Sequence, residues 1–259
     1  MLLSTACGDG ANGDAPDDRS PAEVLATAGS ATLEERTVRA STEQLTSVQG
    51  QEVTTLIEGV ADLVTGDSES TVDLSLPGQD PMTSQVIIED ATVYVEASSI
   101  PGAPTDARWI SIDSEALGSQ LRINLEAFHQ NGAALLATLA EGVDVKEVDT
   151  ESVRETETTQ YRFTTDLAAL AESGPEELRS SFEQVIQLTG SEEIPTQVWI
   201  DDEDRVRRIV TTLEFEVANQ QISQETTVEY FEFGVEVDVQ PPQEQDTVDI
   251  TELTGGGAP

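Results

Sequence analysis

The chain has 259 residues and sets 51 Asp plus Glu against 12 Lys plus Arg, a formal net charge of -39. A polyanion of this density is repelled by phosphate backbones and anionic headgroups, which excludes a nucleic-acid binder and a polybasic membrane-surface protein. Apolar residues make up 37% and aromatic residues 4%, a content close to the disordered range, so the case for a fold rests on patterning. Lys146 is the one lysine among the basic residues, a bias that points to no site.

In chain order, the opening Met1-Leu2-Leu3-Ser4-Thr5-Ala6-Cys7 places the single cysteine after small residues. One cysteine forbids an intramolecular disulfide and cysteine-rich metal sites. Its position resembles the end of a bacterial lipoprotein signal, with Ser4 where leucine is usual, and the stretch from Gly8 to Asp18 has the composition of a flexible acidic tether. The expected organisation is therefore a signal remnant over 1–7 ending at a lipidated Cys7, a tether over 8–20, one domain over 21–242, and an acidic, Gly-rich, partly disordered tail over 243–259.

Ser20-Pro21-Ala22-Glu23 reads as a capping box with proline in the first turn, starting a helix through Val24, Leu25 and Ala28. From Thr37 the apolar period is two. Strands are predicted over 36–48, 51–64, 69–76, 84–97 and 107–113, parted by Gly66-Asp67, Pro77-Gly78 and Pro101-Gly102-Ala103-Pro104. Leu117, Leu121, Leu125, Phe128, Leu135 and Leu139 then fall at helical spacing, interrupted at Gly118 and Asn131-Gly132. Strands near 143–149 and 158–165 precede a helix with Pro175 in its first turn and Leu178, Phe182, Val185 and Ile186 on one face. Strands over 196–200, 206–217 and 222–233 close the pattern. This order predicts an α+β fold, an antiparallel sheet with helices segregated to one face. No apolar run approaches the roughly 20 residues that cross a bilayer.

The chemical inventory points away from an enzyme and from any cofactor. His129, the one histidine, sits beside Phe128 in the helical stretch and reads as a surface or helix-end residue. There is no phosphate-binding glycine loop and no nucleophile elbow in the sequence. Asp201-Asp202-Glu203-Asp204 is a local carboxylate cluster, but it lacks the glycine and the distant glutamate of an EF-hand loop and reads as a hairpin turn.

Two later stretches carry more specific information. Pro195-Thr196-Gln197-Val198-Trp199-Ile200-Asp201, continued by Arg205 to Ile209, and Tyr230-Phe231-Glu232-Phe233-Gly234-Val235-Glu236-Val237-Asp238-Val239 before Pro241-Pro242, resemble the closing motifs of the LppX/LprAFG family of actinobacterial lipoproteins. Val93-Tyr94-Val95, Arg108-Trp109-Ile110 and Tyr161 to Leu167 fall in the same order, so the resemblance spans about 22–242. It implies a LolA-like fold, a strongly curved antiparallel half-barrel with helices on its concave face and an apolar cavity between them. It also implies a monomeric, membrane-tethered, extracytoplasmic lipoprotein that binds and transfers an acylated lipid or glycolipid, with an envelope transporter or acceptor protein as partner.

The residues that would wall such a cavity are Val93, Val95, Val198, Ile200, Leu213, Phe215 and Val217 on the sheet, and Phe128, Leu135, Leu136, Leu139, Phe182 and Ile186 on the helices. Ala133, Ala134 and Ala137 would leave room beside them. Every one of these side chains serves equally well in an ordinary packed core. The alternative reading is accordingly a tethered scaffold lipoprotein with a filled core and an acidic partner-binding surface.

Overall fold

The computed structural model describes residues 19–90, 92–100, 103–104, 107–113, 136, 139, 142–173, 176–217 and 220–254. Cys7, the tether over 8–18, most of the helical stretch over 117–139 with Phe128, His129 and Leu135, and Pro175 lie outside them.

Helix α1 (Pro21–Glu34) begins as the sequence dictates. The Ser20 hydroxyl accepts from the Glu23 N–H at 3.3 Å and the Ser20 N–H donates to the Glu23 carboxylate at 2.7 Å, which satisfies two amides at the helix start. Strands β1 (Thr37–Val48), β2 (Gln51–Asp62), β3 (Ser68–Ser75), β4 (Met82–Glu89), β5 (Thr92–Glu96) and β6 (Trp109–Asp113) follow as a meander. The segment 84–97, expected as one strand, is two. Asp90 turns the chain with φ 45° and its N–H donates to the Asp67 carboxylate at 3.2 Å, a conformation that aspartate tolerates better than most residues.

Strands β7 (Gly142–Val153) and β8 (Thr156–Asp166) form a long hairpin, then come α2 (Leu167–Ser173) and α3 (Glu176–Thr189). The sequence reading missed α2. Strands β9 (Glu193–Ile200), β10 (Val206–Val217) and β11 (Gln220–Phe231) complete a second meander. The two meanders join where β11 pairs with β1, giving one open 12-stranded sheet in the order β12, β6 to β1, β11 to β7.

The carboxy-terminal segment carries two elements that the sequence pattern does not predict. Thr247–Asp249 is β12, paired in parallel with β6, the one parallel contact among the described strands, and Ile250–Thr254 is a short helix α4. The Arg108 N–H donates to the Asp246 carbonyl at 3.0 Å. An acidic composition hid the alternation of Val248 and Ile250, both of which pack against the core at that end of the sheet.

Among the described residues, two apolar clusters hold the sheet. The larger gathers Val24, Leu25 and Ala28 of α1 with Val38, Tyr161, Phe163, Val198, Val206 and Ile209. Thr32 fixes the helix to the β9–β10 hairpin, because its buried hydroxyl accepts from the Val206 N–H at 2.8 Å and donates to the Ala28 carbonyl at 2.7 Å. Gly29 permits the close approach of α1 to residue 136, since a Cβ there would lie 2.3 Å from the Leu136 carbonyl oxygen. The smaller cluster gathers Ile88, Val93, Ala97, Ile110 and Ile112 at the opposite end.

A chain ending after Pro242 should therefore lose Val248 and Ile250 from the smaller cluster. Its thermal midpoint should fall by several degrees, by analogy with deletion of buried apolar side chains; an unchanged midpoint would mean that β12 does not support the sheet.

Candidate functional site

Directly paired residues of an antiparallel sheet share a face, so the observed registers assign every side chain to one side or the other. One row runs Tyr161, Val198, Ile209, Val228, Thr42, Ile57, Val72 and Ser84 across β8 to β4. A neighbouring row runs Tyr230, Ala40, Gly59, Ser70, Val86, Val95, Ile110 and Val248, from β11 to the β12 edge. Both apolar clusters lie on this face.

From β12 to β9 this face carries no charged side chain in register; Arg207, at the β10 bulge, is the one charged residue the pairing does not assign. Arg39, Glu43, Glu58, Glu69, Asp73, Glu89, Glu214, Glu225 and Glu229 all fall on the other face.

Among the described residues the two clusters do not meet. Between them Val53, Ile57, Val72, Leu74, Leu213, Phe215 and Ile222 occupy the same face, half-buried and outside both clusters. This apolar span is the candidate ligand surface. Gly59 lies beside it, and a Cβ there would come within 2.2 Å of the Glu69 carbonyl oxygen, so β2 and β3 approach closely at that point.

The expected wall residues divide accordingly. Val93 and Val95 are on the face but belong to the smaller cluster. Val198 (0% exposed), Ile200 (2%), Leu136 (1%) and Leu139 (1%) are packed solid in the larger one. Leu213 and Phe215 sit on the half-buried span, and Val217 continues their register on β10. Phe182 and Ile186 are half-buried on α3, which lies against β10; Phe128 and Leu135 lie outside the described residues. Val53, Ile57, Val72, Leu74 and Ile222 were missed. Each shows period-two alternation in sequence, but only strand pairing places them on the same face as Leu213 and Phe215.

Ile186 also lines a pocket of about 420 Å³ with Gly190, Ser191, Glu192 and Glu193, where α3 leads into β9. Two carboxylates in its wall make it a poor receptacle for acyl chains. The cluster around Asp201 is a pinned hairpin turn. The buried Asp201 carboxylate accepts from the Glu203 and Arg205 N–H groups at 3.1 and 2.8 Å and from the Arg205 and Arg207 guanidinium groups at 3.0 and 2.7 Å. Asp204 is held by Arg19 at 2.8 Å and Glu203 pairs with Arg205, so these carboxylates turn to arginines rather than to one another.

The charged face has its own order. Glu229 accepts from Arg154 at 2.7 Å and from Arg208 at 2.9 Å, while Arg154 stacks on Phe231 at 3.8 Å and Arg208 on Trp199 at 5.1 Å. Burial alone would raise the Glu229 carboxyl, but the hydrogen bonds and charges of the two arginines outweigh it and hold it below the ordinary glutamate range. The Trp199 indole N–H is buried without a hydrogen-bond partner among the described residues. Burial pushes the Tyr230 phenol up.

Comparison with solved structures identifies the architecture. The lipoprotein LppX of Mycobacterium tuberculosis superposes with a TM-score of 0.50 at 10% identity, over 84% of this chain and 99% of that one. The chain has an LppX-type fold. LprF from Mycobacterium bovis aligns at 12% identity over 86% of this chain and 96% of that one, with a TM-score of 0.47. An uncharacterized 31.2 kDa protein from the rplA-rplJ intergenic region of Streptomyces griseus is 31% identical over 128 residues. That match covers 48% of this chain and 40% of the Streptomyces protein. No family model matches the chain.

The Glu229 geometry sets a pH dependence. A carboxyl held lower in the folded than in the unfolded chain stabilises the fold above the unfolded value of about 4.3 and loses that contribution as pH falls through the folded value. Glu229→Gln should lower the thermal midpoint at pH 7 and converge with wild type near pH 2, measured by melting across that range; a constant offset would contradict the assignment.

Proposed function

We propose that this protein is a membrane-tethered, extracytoplasmic lipoprotein that binds acylated lipids on the uncharged face of its sheet, between the two clusters, and passes them on without covalent chemistry. The observation that carries the reading is the sorting of charge: a chain of net charge -39 keeps that face free of charged side chains in register from β12 to β9. An acyl chain laid on it gains roughly 0.8 kcal/mol per methylene removed from water, a gain that any unpaired charge beneath it would cancel. The LppX-type fold supports the reading, because LppX is itself a lipoprotein. The finer geometry, a strongly curved half-barrel whose helices cover a concave side and enclose the lipid, belongs to this proposal.

The tether is Cys7, acylated at its thiol, with residues 8–18 holding the acidic body away from an anionic surface until it docks. Electrostatics would drive the domain off such a surface, so a covalent anchor answers a definite need. More than one acyl chain is required, since a single chain binds a bilayer marginally. The partners in this reading are a lipid donor or acceptor in the envelope, with the protein acting as a monomer.

The solid packing of Val198, Ile200, Leu136 and Leu139 favours the scaffold alternative over part of the molecule. Mass spectrometry of the purified protein separates the two readings: delipidation-resistant acyl species are expected, and their absence would leave the scaffold. Ile57→Trp and Leu213→Trp, which fill the open span, should cut bound lipid several-fold while leaving the thermal midpoint nearly unchanged. Val198→Ala, in the filled cluster, should instead cost about 2 kcal/mol of stability. For the anchor, Cys7→Ser should move the protein from the membrane to the soluble fraction; retention in the membrane would sink the assignment.

A further inference from the structure

The uncharged face is not uniformly apolar. In the row one step along the strands from Val198, Ile209, Val228 and Thr42, the paired residues are Thr196, Thr211, Thr226, Gln44 and Thr55, followed across the sheet by Leu74. The next row contains Leu213, Gln224, Thr46 and Val53. Thr196 is buried and bonded to Thr165 at 2.9 Å. The others, Gln44, Thr46, Thr55, Thr211, Gln224 and Thr226, are half-buried. Their side chains have no hydrogen-bond partner among the described residues. They form a hydrogen-bonding band with apolar side chains on either side: Ile57 and Val72 toward one strand end, Phe215 and Ile222 toward the other.

Such a band is costly beneath a plain hydrocarbon chain. Covering an amide or hydroxyl without a partner costs more than a formed hydrogen bond contributes, so a surface meeting only methylenes would carry Val and Leu at these positions. A charged headgroup is equally unsuited, because this face offers it no counter-ion in register. What fits is a ligand whose polar part is uncharged and lies between apolar arms. The two glutamine NH₂ groups and the threonine hydroxyls donate to ester carbonyls, and the glutamine carbonyls accept from hydroxyl groups.

We infer that Gln44, Gln224 and Thr226, with the threonines beside them, are the specificity-determining residues for an uncharged lipid bearing ester and hydroxyl groups, whose linkage region sits on the band while its acyl chains lie over the apolar rows. This rests on the proposed lipid-binding function and narrows it to neutral, ester-linked ligands.

The test uses three probes with the full chain freed of bound lipid by denaturation, solvent extraction and refolding: 1,2-dioleoylglycerol, dioleoylphosphatidylglycerol, and a pyrene-labelled alkane that has no polar group. Wild type should take up dioleoylglycerol at least tenfold better than the phosphatidylglycerol. The paired substitution Gln44→Leu with Gln224→Leu should weaken dioleoylglycerol about tenfold, the scale of one or two lost hydrogen bonds, and should leave alkane binding equal or stronger. Thr226→Val, which keeps shape and removes only the hydroxyl, gives the same direction with less risk to folding. Unchanged dioleoylglycerol affinity in both variants, or equal uptake of the phosphatidylglycerol by wild type, would overturn the assignment of the band. Failure of wild type to bind all three probes, the alkane included, would overturn the lipid-binding reading itself.

Discussion

A β-strand sends alternate side chains to opposite faces, and in this protein that single geometric fact has to accommodate a net charge of -39. If acidic residues appeared on both faces, no sheet surface could be buried against a helix without stranding carboxylates away from water. The period of two instead sends Glu43, Glu58, Glu69, Asp73, Glu225 and Glu229 to one side and Val38, Ile57, Val72, Val228 and Ile209 to the other. The acidic surface and the apolar surface are two sides of the same strands, and each permits the other.

Once the charges are sorted, the uncharged face must be covered, and it is covered unevenly. Helix α1 with Leu136 and Leu139 seals the part over β8 to β10, and Val248 and Ile250 seal the far edge over β5 and β6. The span over β2 and β3, with the outer halves of β1, β10 and β11, belongs to neither seal. Among the described residues the middle of the face is half-buried, whereas the clusters at its two ends are buried. The arginines reinforce the arrangement from behind: Arg154 and Arg208 bridge Glu229 and stack on Phe231 and Trp199, which offsets carboxylate repulsion where β7 to β11 crowd together.

Local chemistry was legible in the sequence wherever it depends on neighbours in the chain. The capping box at Ser20, the strand segments, the Asp201 hairpin and the alternation that names Val93, Val198 and Leu213 as inward-facing are all short-range patterns. The split of 84–97 at Asp90 was missed because the left-handed residue is an aspartate and not a glycine. The parallel β12 was missed because three residues in an acidic stretch carry too little apolar signal to outweigh composition. The missed residues of the open span, Val53, Ile57, Val72, Leu74 and Ile222, alternate as well as the others do; nothing within their own strands says which neighbours they meet.

By itself the sequence determined the class of fold, the order of its elements, the exclusion of polyanionic partners, and the pair of faces that each strand would present, because alternation and composition are written residue by residue. Only the tertiary structure decided which parts of the apolar face belong to the two buried clusters and which stay half-buried outside them. Val198 and Leu213 look alike in sequence, yet one is buried in the cluster with α1 and the other is half-buried outside it. That difference arises from pairing between strands far apart in the chain and from where α1 and the carboxy-terminal segment come to rest. The same pairing brings Gln44, Thr226 and Thr211 into one row, a juxtaposition that exists only across the joined strands β1, β11 and β10.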